Sequence, residues 1–144
     1  MNNIELLNSL TQTTYDSVEG YRMAIEKTDN RALRNAFERR KDQRQQTLEM
    51  LNDALAKHGE TPITEVSTAG KTHQTFLKIV DSFADGDQAA IKRVDEGEDY
   101  LAGEFRDALK RDDLDESLRM LIEKASQDIF QGDSFSSMVE EQYA

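Results

Sequence analysis

Five stretches of this chain carry apolar residues at alternating spacings of three and four, and that rhythm restricts the fold more than any other feature. Such spacing puts the residues on one face of an α-helix, and a face of that kind must be buried against others like it. The first stripe is Leu7, Leu10, Thr14, Ser17, Tyr21 and Ala24, widened by Ile4, Val18 and Ile25, and predicts a helix from about Asn3 to Thr28. Asp29 or Asn30 can cap a second helix, whose stripe is Leu33, Phe37, Lys41, Arg44, Leu48, Leu51 and Leu55 and whose end is His58-Gly59. Glu60 to Ser67 reads as a linker and contains the sole proline, Pro62. A shorter helix is expected over Thr68 to Ala84, with Ala69, His73, Phe76, Val80 and Phe83 on one face. After the break Asp85-Gly86-Asp87, with Asp87 as N-cap, the stripe Ile91, Val94, Glu98, Leu101, Phe105 and Ala108 carries a helix to about Arg111. Asp112-Asp113 is expected to cap the last helix, whose stripe Leu118, Ile122, Ala125 and Ile129 continues toward Met138 beyond Gly132. Nothing reads as a strand.

The two halves echo each other. EGYRMAI (Glu19 to Ile25) aligns with GEFRDAL (Gly103 to Leu109), and LRNAFERR (Leu33 to Arg40) aligns with LRMLIEKA (Leu118 to Ala125). Each half is then a hairpin with a short turn, near Asp29 and near Asp113, and short turns force antiparallel neighbours. The long segment from Gly59 to Gly86 can cross the length of the bundle. The expected fold is all-α: a ferritin-like four-helix bundle, two antiparallel helical hairpins joined by a long crossover that contains a shorter helix. At 144 residues this is one domain with a core of its own, residues 131–144 forming a helical extension or tail.

Charge narrows the partners. Lys and Arg number 18 against 29 Asp and Glu, a net charge of −11 with a pI near 4.6. Nucleic acid and anionic membrane surfaces repel such a chain. Cysteine is absent, which removes disulfides, thiolate metal sites and cysteine nucleophiles. MNNIELLNSL lacks the basic and apolar regions of a signal peptide, and no apolar run approaches the ~20 residues of a membrane span. A cytoplasmic protein is expected.

The runs LNSLTQTTYDSVEGYRMAIEKT, FERRKDQRQQTLEML and DEGEDYLAGEFRDAL resemble the ferritin-like four-helix-bundle domain of unknown function found in many bacteria. E-G-Y-R-x-A in the first helix and G-E-D-x-x-x-x-x-F/Y later are the most specific parts, and the resemblance extends to about Ile129. It implies the bundle and brings no established reaction.

The ferritin-like superfamily suggests a di-iron carboxylate centre, built from one Glu on each of two helices and Glu-x-x-His on each of the others. Glu98 resembles the third-helix ligand, seven residues before Phe105, but the matching place in the first helix is Thr14. The only histidines, His58 and His73, follow Leu55 and Gly70 at the required spacing, so no carboxylate-x-x-His exists. Lys41 and Arg44 occupy the second stripe, where cations repel a metal. His73 reads as a core or rim histidine, and His58 as a residue suited to a helix C-terminus. The candidates left for a differently built metal site are Glu19, Glu98 and Asp128; no catalytic or cofactor-binding residue is assigned, and no cofactor is expected.

Glu98 on a core stripe must be neutralised, paired or metal-bound. Arg44 is the expected partner, because its planar fork holds a carboxylate bidentately, with Lys41 second; these three form the expected buried polar core. In the tail, Phe130, Phe135, Met138, Val139 and Tyr143 either cover the end of the bundle or form an oligomer contact. The function expected is that of a non-enzymatic structural or protein-interaction module that self-associates, most simply as a two-fold dimer. The alternative is a carboxylate-based metal-binding or metal-storage bundle.

Overall fold

The computed structural model describes residues 1–68, 70, 73–74 and 86–143, and among these no strand occurs. Four long helices follow in order: α1 (Asn3–Lys27), α2 (Arg31–Lys57), α3 (Asp87–Leu109) and α4 (Glu116–Tyr143). The helix expected over Thr68 to Ala84 lies almost wholly outside the described residues.

Local chemistry sets the ends. The Asn2 side chain accepts from the Glu5 N–H (2.8 Å) and donates to the Glu5 carboxylate (3.0 Å), a reciprocal cap on α1. Asn30 caps α2 by accepting from Leu33 N–H at 2.9 Å. The helix stops at His58, whose Nδ1 lies 2.9 Å from the Ala54 carbonyl, and Gly59 follows at φ +76°, a conformation that glycine adopts without penalty.

Two expected starts are corrected. Asp87 is the first residue of α3, not its cap; Gly86 holds the cap position without a side-chain bond. The Asp87 carboxylate is used across the bundle instead, accepting from the N–H groups of Asp29 (2.6 Å) and Asn30 (3.2 Å) in the turn between α1 and α2. Asp112-Asp113 does not cap α4, which begins at Glu116. Arg111 binds Asp113 through Nε and Nη2 at 2.9 and 2.8 Å, so that carboxylate is taken and the connection runs on.

Helix α1 packs on α2 and α3, and α4 packs on α3 and α2. Asp29 is level with Asp87 and Tyr21 with Glu98, while Phe37 is level with Phe135 and Arg44 with Asp128. Neighbours therefore run antiparallel. The extended residues from Glu60 to Ser67 are strapped along α1 and α2 by side chains. The Asn52 amide brackets Ile63, accepting from its N–H (2.7 Å) and donating to its carbonyl (2.9 Å). Gln12 donates to the Glu65 carbonyl (2.9 Å), and Asp16 accepts from both the N–H (2.9 Å) and the hydroxyl (2.6 Å) of Ser67. Burial pushes the Asp16 carboxyl up despite those bonds. His73 Nδ1 lies 2.7 Å from the Ser67 carbonyl.

The core comes in two parts. Leu7, Leu10, Leu51, Leu55, Leu101, Phe105, Ile122 and Ile129 fill one half. Tyr21, Ala24, Leu33, Phe37, Ile91, Val94 and Val139 fill the other. Helix α4 runs unbroken through Gly132, which lets the last turns complete the second cluster. Phe135 sets its ring edge-on to Phe37 (6.3 Å between centroids, 81°), and Val139 is buried. Of the tail residues considered for an oligomer contact, Phe135 and Val139 are thus used within the chain, whereas Met138 is 51 % exposed.

Candidate functional site

Between the two apolar clusters lies a polar layer to which every helix contributes. At its centre is Arg44, with a side chain that is 0 % exposed. Its Nη1 donates to Glu98 Oε1 (2.6 Å) and its Nη2 to Glu98 Oε2 (2.8 Å), a two-pronged pair with a carboxylate that is 2 % exposed. Nη1 also donates to Ser17 Oγ (2.5 Å), and Nε donates to Asp128 Oδ2 (2.8 Å). The remaining acceptor sites are used as well. The Tyr21 hydroxyl donates to Glu98 Oε2 (2.9 Å), Thr47 donates to Asp128 Oδ2 (2.9 Å), and Arg40 Nη2 donates to Asp128 Oδ1 (2.7 Å). The Arg44 guanidinium also stands 5.8 Å from the Tyr21 ring centroid.

Two guanidinium groups thus face two carboxylates, the balance that makes buried ions tolerable. Burial disfavours the Arg44 charge, but Glu98 and then Asp128 outweigh it and hold the proton more tightly than usual. Burial, followed by the Glu98 charge, pushes the Tyr21 phenol well above its ordinary range, so it remains a donor.

Gly132 makes room for this layer. A Cβ built there would lie 2.5 Å from Arg44 Nη2 and 3.2 Å from the Glu98 carboxyl carbon, and nearer still to Glu98 Oε2. No real side chain tolerates such contacts.

The residues singled out from sequence divide clearly. Glu98, Arg44 and Asp128 meet in the layer. Lys41, expected on the buried stripe, is corrected: its side chain is 26 % exposed and lies 3.9 Å from Asp42. Arg40 reaches the layer in its place: on a helix the residue four before Arg44 is offset by about 40° to one side of it and the residue three before by about 60° to the other, and Asp128 lies on the Arg40 side. Glu19 stands apart and pairs with Arg22 at 3.3 Å. Sequence reasoning did not single out Ser17, Thr47, Arg40 or Gly132 as parts of this site. Ser17, a small polar residue on the first stripe, was the only signal; Arg40 and Thr47 lie beside the second stripe.

A second group of carboxylates lies where α3 meets α4. Asp95, Asp99 and Asp133 each bring an oxygen within 4.8 Å of the others. Asp95 accepts from the hydroxyls of Ser136 (2.8 Å) and Ser137 (3.1 Å), and Arg106 reaches Asp133 at 3.3 Å. The hydrogen bond with Asp133, then burial and the charges of Asp95, Asp133 and Glu140, push the Asp99 carboxyl up to about 7. The bond with Asp95, followed by burial, raises Glu140 as well, with Lys92 opposing. The unfolded value for Asp is about 3.9, so the stability that Asp99 contributes is full below about pH 4 and is lost as the pH climbs toward 7. Replacing Asp99 by Asn removes that titration. The Tm of the variant is expected to gain on the parent between about pH 4 and pH 7.5; a constant gap in paired thermal melts would show that Asp99 does not titrate in this window.

The residues around Glu98 do not fit a di-iron centre. Both carboxylates that could bridge metals are engaged by Arg44, and a fixed cation there repels another. The two imidazoles are bonded elsewhere, to the Ala54 and Ser67 carbonyls.

The described residues thus form an all-α bundle of four helices, each antiparallel to its neighbours, with an arginine-centred polar layer across its middle. It belongs to the family described as Domain of unknown function (DUF2383), which it matches over residues 2–111. The match takes in α1, α2 and α3, and so Ser17, Tyr21, Arg44 and Glu98; α4, which supplies Asp128 and Gly132, follows it. No curated protein and no solved structure matches the chain. No described helix is long and apolar enough to cross a membrane.

Proposed function

We propose that this chain is a ferritin-like bundle in which a guanidinium takes the position of the metals, and that it acts as a non-enzymatic structural or protein-interaction module that self-associates. The observation that carries this reading is the Arg44 guanidinium between Glu98 and Asp128, with no exposure to solvent. Metal oxidation needs open coordination positions and anionic ligands. Here the ligand oxygens are already occupied by N–H and O–H donors. The antiparallel order of the helices, and the start of α3 beside the turn between α1 and α2, support a crossover that returns along the bundle. Self-association falls to the surface of this −11 chain, because its core is closed.

The test is elemental analysis of protein purified from iron-replete cells, together with a ferroxidase assay. The expected outcome is well below one iron per chain and no activity above background. Two irons per chain in a reproducible stoichiometry would overturn the reading in favour of metal binding or storage.

A further inference from the structure

Of the four seams between neighbouring helices, that between α2 and α4 is the least closely packed. At the end of the bundle where α2 finishes and α4 begins, it opens into a groove of about 560 Å³. The floor is apolar: Leu118 belongs to the first core cluster, and Met50 and Leu121 pack against it, only partly covered. Glu49, Asp53 and Lys57 stand on the α2 wall and Lys124 on the α4 wall, all exposed and none in an ion pair. Acids and bases are matched here, whereas the whole chain carries 29 against 18. This is a greasy patch at which the general repulsion between two like-charged molecules is locally cancelled.

We infer that this groove is the surface through which a second copy of the chain docks, with a two-fold axis running along it. The inference rests on the self-association reading above and gives it a location. Charge complementarity identifies the occupant. Arg44 is level with Asp128 and Phe37 with Phe135, so on these antiparallel helices Glu49 is nearly level with Lys124. A two-fold axis along the groove sets α2 of each copy over α4 of the other at the same height. Glu49 then faces Lys124 of the second copy, and the pair is made twice. Leu121 and Met50 close over their counterparts between these pairs. The groove spans Gln46 to His58 on α2, roughly 18 Å of helix at 1.5 Å per residue. Such a contact falls at the small end of specific interfaces, and its association belongs in the micromolar range.

Sedimentation velocity on the full chain from about 5 to 500 μM, at low and moderate salt, tests this. The parent is expected to move from monomer to dimer mass across the series. Glu49→Lys and Lys124→Glu are each expected to weaken association at least tenfold, and the combined variant to recover most of it. Both residues are exposed and unpaired, so the folds should survive, with melts close to the parent. A monomer at every concentration overturns both this surface and the self-association reading. A dimer indifferent to the single reversals overturns the surface alone, as does a combined variant no better than the single ones.

Discussion

Replacing Arg44 with Met is expected to lower the unfolding free energy by roughly 3–5 kcal/mol, because it strands the Glu98 carboxylate in the core without its cation. Glu98→Gln should also destabilise, by leaving half of the guanidinium fork without a charged acceptor. The combined variant is expected to lose clearly less than the sum, with a coupling of about 1.5 kcal/mol or more, since neither ion is then left alone. Asp128 stays paired with Arg40 and Thr47 in every member of the cycle, which isolates the central pair. Urea unfolding of the four proteins reads this directly. Additive losses would show that the two side chains do not act as partners.

Gly132→Ala should destabilise by about 1–3 kcal/mol, the usual scale of overpacking in a closed core. The sign is the informative part. Alanine is favoured over glycine inside a helix by up to about 1 kcal/mol, so the bare expectation is a gain. Gly20 and Gly103 supply the control, because a Cβ at either meets nothing within 4 Å. Gly20→Ala and Gly103→Ala should therefore stabilise, while the same change at Gly132 does the reverse by pressing on Glu98 and Arg44. Three gains of similar size would show that the layer shifts aside freely.

The helical character and the four bundle helices were legible from stripe spacing, since amphipathic periodicity is a local property. Helix ends were less so. Asp113 looks like a cap in sequence, and only the fold shows Arg111 bent back onto it. Ions at stripe positions 44 and 98 signal that charge must enter the core, yet Lys41 sits on the same stripe. About one-sixth of a turn separates Arg44, which reaches the layer, from Lys41, which stays at the edge. Gly132 reads as a weak point in the last helix, because nothing local reports the guanidinium pressing toward it from another helix. The Asp95, Asp99, Asp133 and Glu140 group was missed for a similar reason: each pair is an ordinary acidic row on its own helix, and only packing brings the rows face to face.

The polar layer also decides how the helices may slide. Leu, Ile and Ala are nearly interchangeable, so a core made only of them lets one helix slip past its neighbours by a turn, about 5.4 Å, at little cost. Here such a slip carries Asp128 away from Arg44 and moves Gly132 off the one spot that needs a missing side chain. A bulky residue would then enter where the guanidinium lies, and a carboxylate would be left in hydrocarbon. The layer works as a tooth that engages at a single offset, so the alignment of all four helices is fixed at one point in the middle of the bundle.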